Sequence, residues 1–244
     1  MNQSLANCLT ALIVAVGSYL IGSISHGLLI GKVFFHKDIR DYGSHNLGGT
    51  NAGRVLGKPI GVLVILLDML KTLACVYATW AIVTYSPLKH FYLFPDAPEL
   101  FRDLRPLYYW MAALCAGLGH CFPFYLHFKG GKAVSSFMGT AVCTNWLGFV
   151  VGISYFPILK FKKMVSLASL ITGGLETIAA WIVFAVCAAT DFPLYFFSWT
   201  FALKDNALVM GFWYAIAMSC LYAILVIRHR SNMMRIKAGV ENKI

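Results

Sequence analysis

Apolar residues in this chain come in blocks that are too long and too continuous for the core of a water-soluble domain. Five of them, at about 9–34, 60–85, 107–127, 165–190 and 206–227, are long enough to cross roughly 30 Å of hydrocarbon at about 1.5 Å per helical residue. Each is expected to form one membrane-spanning helix. The interval 133–154 is also apolar, but Asn145-Trp146-Leu147-Gly148 breaks it near the middle. A hairpin of two short helices turning near Asn145 is the expected form, which makes seven helices in all. Legs of about 11 residues need a thinned bilayer or a tilt to cross.

Charge in the connecting loops orients these elements. Loop 36–58 carries Lys37, Arg40, Arg54 and Lys58 against Asp38 and Asp41. Loop 86–106 balances Lys89, Arg102 and Arg105 with Asp96, Glu99 and Asp103. The basic loop belongs on the cytoplasmic face and the balanced one outside, so the N-terminus is expected outside. The hairpin then returns Lys160, Lys162 and Lys163 to the cytoplasm, where the basic C-terminus (Arg228, Arg230, Arg235, Lys237, Lys243) also lies. A single crossing would strand those lysines outside.

Composition agrees with this class: 59% of the 244 residues are hydrophobic and 12% charged. A net charge of +10 could point to nucleic acid, but the basic residues sit in short loops between apolar blocks. Lipid headgroups and anionic substrates are the better partners, and no nucleic acid is expected. Seven cysteines form no CxxC pair and lie mostly in apolar segments, so they read as small buried hydrophobes without disulfides or zinc. The N-terminus has no basic leader region and no clear cleavage site, so the first apolar block is expected to be retained. No repeat or linker divides the chain, and 1–244 reads as one integral-membrane domain.

Three polar clusters carry the chemistry. The first, Gly43-Ser44-His45-Asn46-Leu47-Gly48-Gly49-Thr50-Asn51-Ala52-Gly53-Arg54, is dense in uncharged donors and ends in a guanidinium. Thr50-Asn51 reads equally as an N-cap or as a ligand site; the absence of matching acidic residues favours an anion. In the second, His120-Cys121-Phe122-Pro123 precedes Phe128-Lys129-Gly130-Gly131-Lys132. The Gly130-Gly131 bend lets backbone N–H groups turn toward a phosphate, Lys132 adds a compact charge, and His120 is a titratable group inside a span. The third runs from Arg228 to Glu241, with His229 and Asn232 sharing a helical face. Taken alone, it is a basic stop signal that snorkels to headgroups. Asp68 and Lys71, three residues apart within a span, are expected to pair, whereas Glu176 has no evident partner.

Together these stretches resemble the PlsY family of acyl-phosphate:glycerol-3-phosphate acyltransferases. The likeness runs through Gly22-Ser23-Ile24, Gly27 to Lys32, Asp38-Ile39-Arg40 and the Ser44–Arg54 cluster. It continues through Leu67-Asp68 with Lys71, Gly119-His120 with Phe122-Pro123, Phe128 to Lys132, and Val165 to Ser169. It ends with His229-Arg230, Asn232, Arg235, Gly239 and Glu241. Departures are His45, where the family usually has Gly, Ser25-His26 in place of Pro-Phe, and Gly49 where Ala is common. The segments 86–106 and 191–205 look longer than usual.

The resemblance implies transfer of an acyl chain from acyl phosphate to the 1-hydroxyl of glycerol 3-phosphate, without a cofactor. It implies a bacterial inner (plasma) membrane location, with the active site on the cytoplasmic side. By resemblance, Ser44, Arg54 and Lys132 hold the acyl-phosphate group, while Asn46, Thr50, Asn51, Ser166, His229 and Asn232 line the glycerol phosphate pocket. The Gly130-Gly131 bend joins the substrate-binding set. His120 and His229 are placed in the catalytic set in supporting roles, because the substrate phosphate is able to take the proton. No metal is expected, since the motifs lack a carboxylate cluster suited to Mg²⁺. A transporter of a phosphorylated solute and a lipid-binding scaffold are the competing classes. The first needs a midplane site, and the second leaves the Ser/Asn/Thr density unexplained. A His36-x4-Asp41 match to thioester-dependent acyltransferases is short and set aside.

Overall fold

The computed structural model describes residues 2–243 and is built of helices, with no strand among the described residues beyond two isolated bridges. The first expected span is α1 (Gln3–Gly22) followed by α2 (His26–Phe35), with a break at 23–25. α3 (Gly49–Leu56) is a short helix inside the basic loop, and α4 (Lys58–Tyr85) is the second span. α5 (Arg105–Cys121) stops six residues before its expected end, because Pro123 forces Phe122 out of the helical region. α9 (Val165–Thr190) matches its expected bounds. α10 (Phe212–Arg228) begins later than 206, since 207–211 is non-helical and its Ala207, Leu208 and Met210 are buried.

The chain breaks in the 133–154 interval where the sequence placed a turn. α6 (Val134–Val142) and α7 (Trp146–Gly152) flank Asn145. Asn145 is fully buried, caps α7 through Gly148 N–H, and donates to Ala141 O at 2.8 Å and the Tyr214 hydroxyl at 2.9 Å. Gly148 packs against Ala141, and Gly152 against Val142 and Met138, so the two legs run antiparallel. They are shorter than expected, at nine and seven residues. The 191–205 segment meets their turn: Trp199 donates its indole N–H to Val142 O at 3.0 Å, and Trp146 donates to Phe196 O at 2.9 Å. One further helix, α8 (Tyr155–Lys162), was not expected; it exposes Phe156 and Phe161 beside its lysines, the pattern of a helix lying at a membrane surface.

Large apolar side chains cover the outside of the long helices, among them Ile13, Val62, Leu70 and Ile178. Among the described residues, three elements are long and apolar enough to cross a bilayer unaided: the 3–35 pair, α4 and α9. Inside, an aromatic core of Tyr92, Tyr108, Tyr109, Trp110 and Tyr214 lies toward the 86–106 end. There Gln3 and Asn7, at the start of α1, donate to Phe91 O. At its other end α1 approaches α5 closely: a side chain at Gly22 would collide with the Ala116 backbone, and one at Gly119 with Tyr19 O. That contact places the C-terminal end of α5, and His120 with it, against the polar clusters.

Candidate active site

The three polar clusters meet around one cavity of about 550 Å³. Its polar end takes Ser44, Asn46, Thr50 and Arg54 from the α2–α4 connection, His120 and Lys132 from around the end of α5, and His229 and Asn232 from the end of the chain. Ser166, Arg235 and Glu241 also line it. Its other end is an apolar groove between α4 (Val62, Ile65, Met69) and α6 (Val134, Met138, Val142), with the exposed Phe149 and Ile153 at its rim. From Val134 to Val142 this groove follows about 12 Å of helix.

Asn51 shapes the first wall. Its side chain is 1% exposed, accepts from Ser44 N–H at 2.7 Å, and donates to the carbonyls of Ile39, Asn46 and Tyr42 at 2.8, 2.9 and 3.1 Å. Asn51 lines the cavity, and both polar atoms of its amide are held by the loop, so it shapes this wall. Asn46 accepts from Gly48 N–H at 2.9 Å and keeps its own NH₂ for the cavity. Thr50 does not cap a helix: the N-cap of α3 is Gly48, and Thr50 lies in the first turn beside the cavity. His45 turns outward, its ring against Arg40 O at 2.8 Å, and does not reach the cavity. Nor do His36 and Asp41.

The second wall corrects a larger expectation. Gly130 and Gly131 donate their N–H groups to Cys121 O at 3.0 Å and His120 O at 2.9 Å. Their carbonyls accept from Arg228 at 2.9 and 3.0 Å. These amides are unavailable to an anion, and neither glycine lines the cavity. The pair is a strap that holds Lys132 in place, with Arg228 as its clamp. Gly131 must be glycine because the His120 imidazole occupies the space a Cβ would need.

On the third wall the chain bends by 57° between α10 and α11 (Arg230–Lys237), with His229 at the joint. His229 is 3% exposed, and its Nδ1 donates to Leu225 O at 2.8 Å, leaving a lone pair on Nε2. Past Gly239, Glu241 folds back and accepts from Ser166 Oγ and Asn232 Nδ2, both at 2.6 Å, and from Arg235 Nε at 2.8 Å. Asn232 in turn accepts from Lys132 Nζ at 2.7 Å. Glu241 thus ties three cavity residues together. Its place in the motif was visible in the sequence, but its hydrogen-bonding role was not.

The electrostatics favour an anion. Burial lowers the Lys132 ammonium to about 8, helped by the charges of Arg235, Arg228 and Arg54. Burial likewise lowers His229 to about 4, so it is neutral near pH 7. Burial alone would raise Glu241, but hydrogen bonds from Ser166, Asn232 and Arg235 overcome it and hold the carboxyl below its usual range. Deeper in the bundle, Asp68 and Lys71 pair at 2.8 Å as expected, while Glu176 Oε1 has no partner among the described residues.

The Glycerol-3-phosphate acyltransferase family model matches residues 12–239. The chain belongs to this family. A glycerol-3-phosphate acyltransferase of Enterococcus faecalis is 38% identical over 236 residues, covering 95% of this chain and 91% of that one. One from Staphylococcus aureus is 38% identical over 229 residues, covering 93% and 94%. The crystal structure of PlsY, an integral membrane glycerol 3-phosphate acyltransferase in its glycerol 3-phosphate form, superposes with a TM-score of 0.71 at 26% identity, covering 96% of this chain and 95% of that one. A lysophosphatidic acid form of PlsY gives a TM-score of 0.66 at 25% identity, with the same coverage. As a member of this acyltransferase family the chain is an enzyme, and the transporter and scaffold readings fall.

Proposed function

We propose that this chain transfers an acyl group from acyl phosphate to the 1-hydroxyl of glycerol 3-phosphate, giving lysophosphatidic acid and inorganic phosphate. One observation carries the reading: a single cavity joins an anion-binding bowl to an apolar groove. The groove opens between helices whose Val62 and Ile153 face outward, so an acyl tail enters from the lipid while its phosphate stays among Ser44, Arg54 and Lys132. Arg54 and Lys132 offer charge-assisted donors to the departing phosphate, where negative charge grows as the acyl C–O bond breaks. Asn46, Thr50, Ser166, His229 and Asn232 line the space for glycerol 3-phosphate. The His229 Nε2 lone pair accepts from a glycerol hydroxyl and fixes the acceptor. The attacking hydroxyl oxygen bonds to the acyl carbon, and its proton goes to the leaving phosphate. Asn51 and the Gly130-Gly131 strap shape the walls.

The same reading takes seven crossings, with the N-terminus outside and the bowl on the cytoplasmic side. The basic loop 36–58 and the basic C-terminus support it. The hairpin that stops short of a full span is accommodated where the 191–205 segment meets its turn.

Purified protein in lipid, given palmitoyl phosphate and labelled glycerol 3-phosphate, is expected to release phosphate and form lysophosphatidate in equal amounts. Lys132→Ala should lower kcat/KM by about 10²–10³-fold, the effect of removing one donor to developing charge. Solute uptake into vesicles with no phosphate released would sink the proposal. Impermeant labelling that reaches His45→Cys and Asn232→Cys from opposite faces would sink the shared cytoplasmic site.

A further inference from the structure

His120 faces the cavity, and a buried polar array stands behind it. We infer that Asp68 and Lys71 are positioning residues that hold the His120 proton on Nε2, making this histidine a fixed hydrogen-bond donor to a phosphate oxyanion and not a proton acceptor. The inference rests on the acyltransferase reading for the identity of that phosphate, and on hydrogen-bond counting for the tautomer.

An ammonium has three protons and no lone pair. Lys71 is 6% exposed, and its Nζ has three acceptors: Ile24 O at 2.6 Å, Asp68 Oδ1 at 2.8 Å and His120 Nδ1 at 3.1 Å. Each proton is matched to one of them, so Nδ1 of His120 receives. A neutral imidazole whose Nδ1 receives carries its proton on Nε2. Asp68, 1% exposed, is the carboxylate facing Lys71, and its Oδ1 also meets His26 Nδ1 at 2.9 Å. Asp68 Oδ2 lies 3.9 Å from His120 Nδ1, too far to draw a proton onto that nitrogen.

The Nε2 edge packs against Gly131, the residue before Lys132, and has no protein partner among the described residues. A donor left unmatched in a site that is 7% exposed is costly unless a ligand accepts from it. Through its backbone carbonyl the same residue holds the Gly131 N–H. His120 therefore fixes the strap with its main chain and offers an N–H with its ring.

Histidine-¹⁵N-labelled enzyme in lipid, assigned by comparison with His120→Gln, should show the His120 proton on Nε2. Added inorganic phosphate should move that resonance. In the charge-neutral double variant Asp68→Asn, Lys71→Met the tautomer preference should be lost, whereas Lys71→Arg, which keeps a donor, should retain it. In turnover, His120→Gln places a neutral N–H near the same point and should lose about tenfold less than His120→Met. The KM that rises, for acyl phosphate or for glycerol 3-phosphate, identifies whose phosphate it binds. A wild-type proton on Nδ1 overturns the proposal, as does Gln being as damaging as Met. The wild-type spectrum needs no variant, so a misfolded mutant does not shield the idea. If the tautomer is as proposed and no lysophosphatidate forms, the acyltransferase reading fails and the wiring of His120 stands.

Discussion

His120 and His229 line the same cavity, yet their surroundings wire them in opposite senses. His229 gives its Nδ1 proton to the Leu225 carbonyl, which can only accept, and so presents a lone pair on Nε2. His120 meets the Lys71 ammonium at Nδ1, which can only donate, and so presents an N–H. One ring is suited to receive from a hydroxyl, the other to donate to an oxyanion. The two substrates of the proposed reaction need one of each. The lesson is that a histidine's place in a motif does not assign its role; the partner of its far nitrogen does.

Within this contrast the larger effect comes from removing the acceptor. His229→Phe should lower kcat by about 10²-fold or more with the KM for acyl phosphate nearly unchanged, measured by phosphate release at saturating substrate. An equal loss in His229→Phe and His120→Gln would erase the contrast between the two rings.

A smaller and continuous effect is expected with pH. Lys132 is charged below about 8 in the free enzyme and loses its charge as pH rises through that value, so kcat/KM should fall on the alkaline side there. Lys132→Arg should carry that limb upward, because a guanidinium stays charged. His229, held near 4, adds no titration between pH 5 and the alkaline limb, and an acid limb near 6 that vanishes in His229→Phe would contradict its wiring.

The smallest effect belongs to His26, which stands where the family usually has an aromatic residue. It adds one hydrogen bond to an Asp68 already paired with Lys71. His26→Phe should change turnover by less than about threefold, within the roughly 1 kcal/mol of one such bond. A larger loss would mean that His26, too, governs the His120 tautomer.

Much of the architecture was readable beforehand. α4 and α9 match their apolar blocks closely, and the hairpin turns at Asn145, because hydrocarbon selects long uninterrupted runs and an Asn caps a new helix. α8 was missed because its eight residues are short and mixed in character. The 86–106 and 191–205 segments read as unassigned loops. Their order comes from distant indoles and amides, as where Trp146 donates to Phe196 O, and no local pattern announces that. In the site, Ser44, Arg54, Lys132, His229 and Asn232 do meet. Gly130, Gly131 and Asn51 were expected as donors to ligand, but their groups are occupied by His120, Cys121, Arg228 and the loop carbonyls. Arg228 and Glu241, which read only as parts of the basic C-terminal cluster and the family pattern, turn out to be a clamp and a hub.

By itself the amino-acid order determined that this is a helical membrane protein and which polar groups it owns, because transfer into hydrocarbon depends on each segment's own composition. Only the tertiary structure decided which of those groups remain open to a substrate. A donor is available only if no distant carbonyl has already taken it, and such pairing depends on residues as far apart as Lys71 and His120, or Gly131 and Arg228.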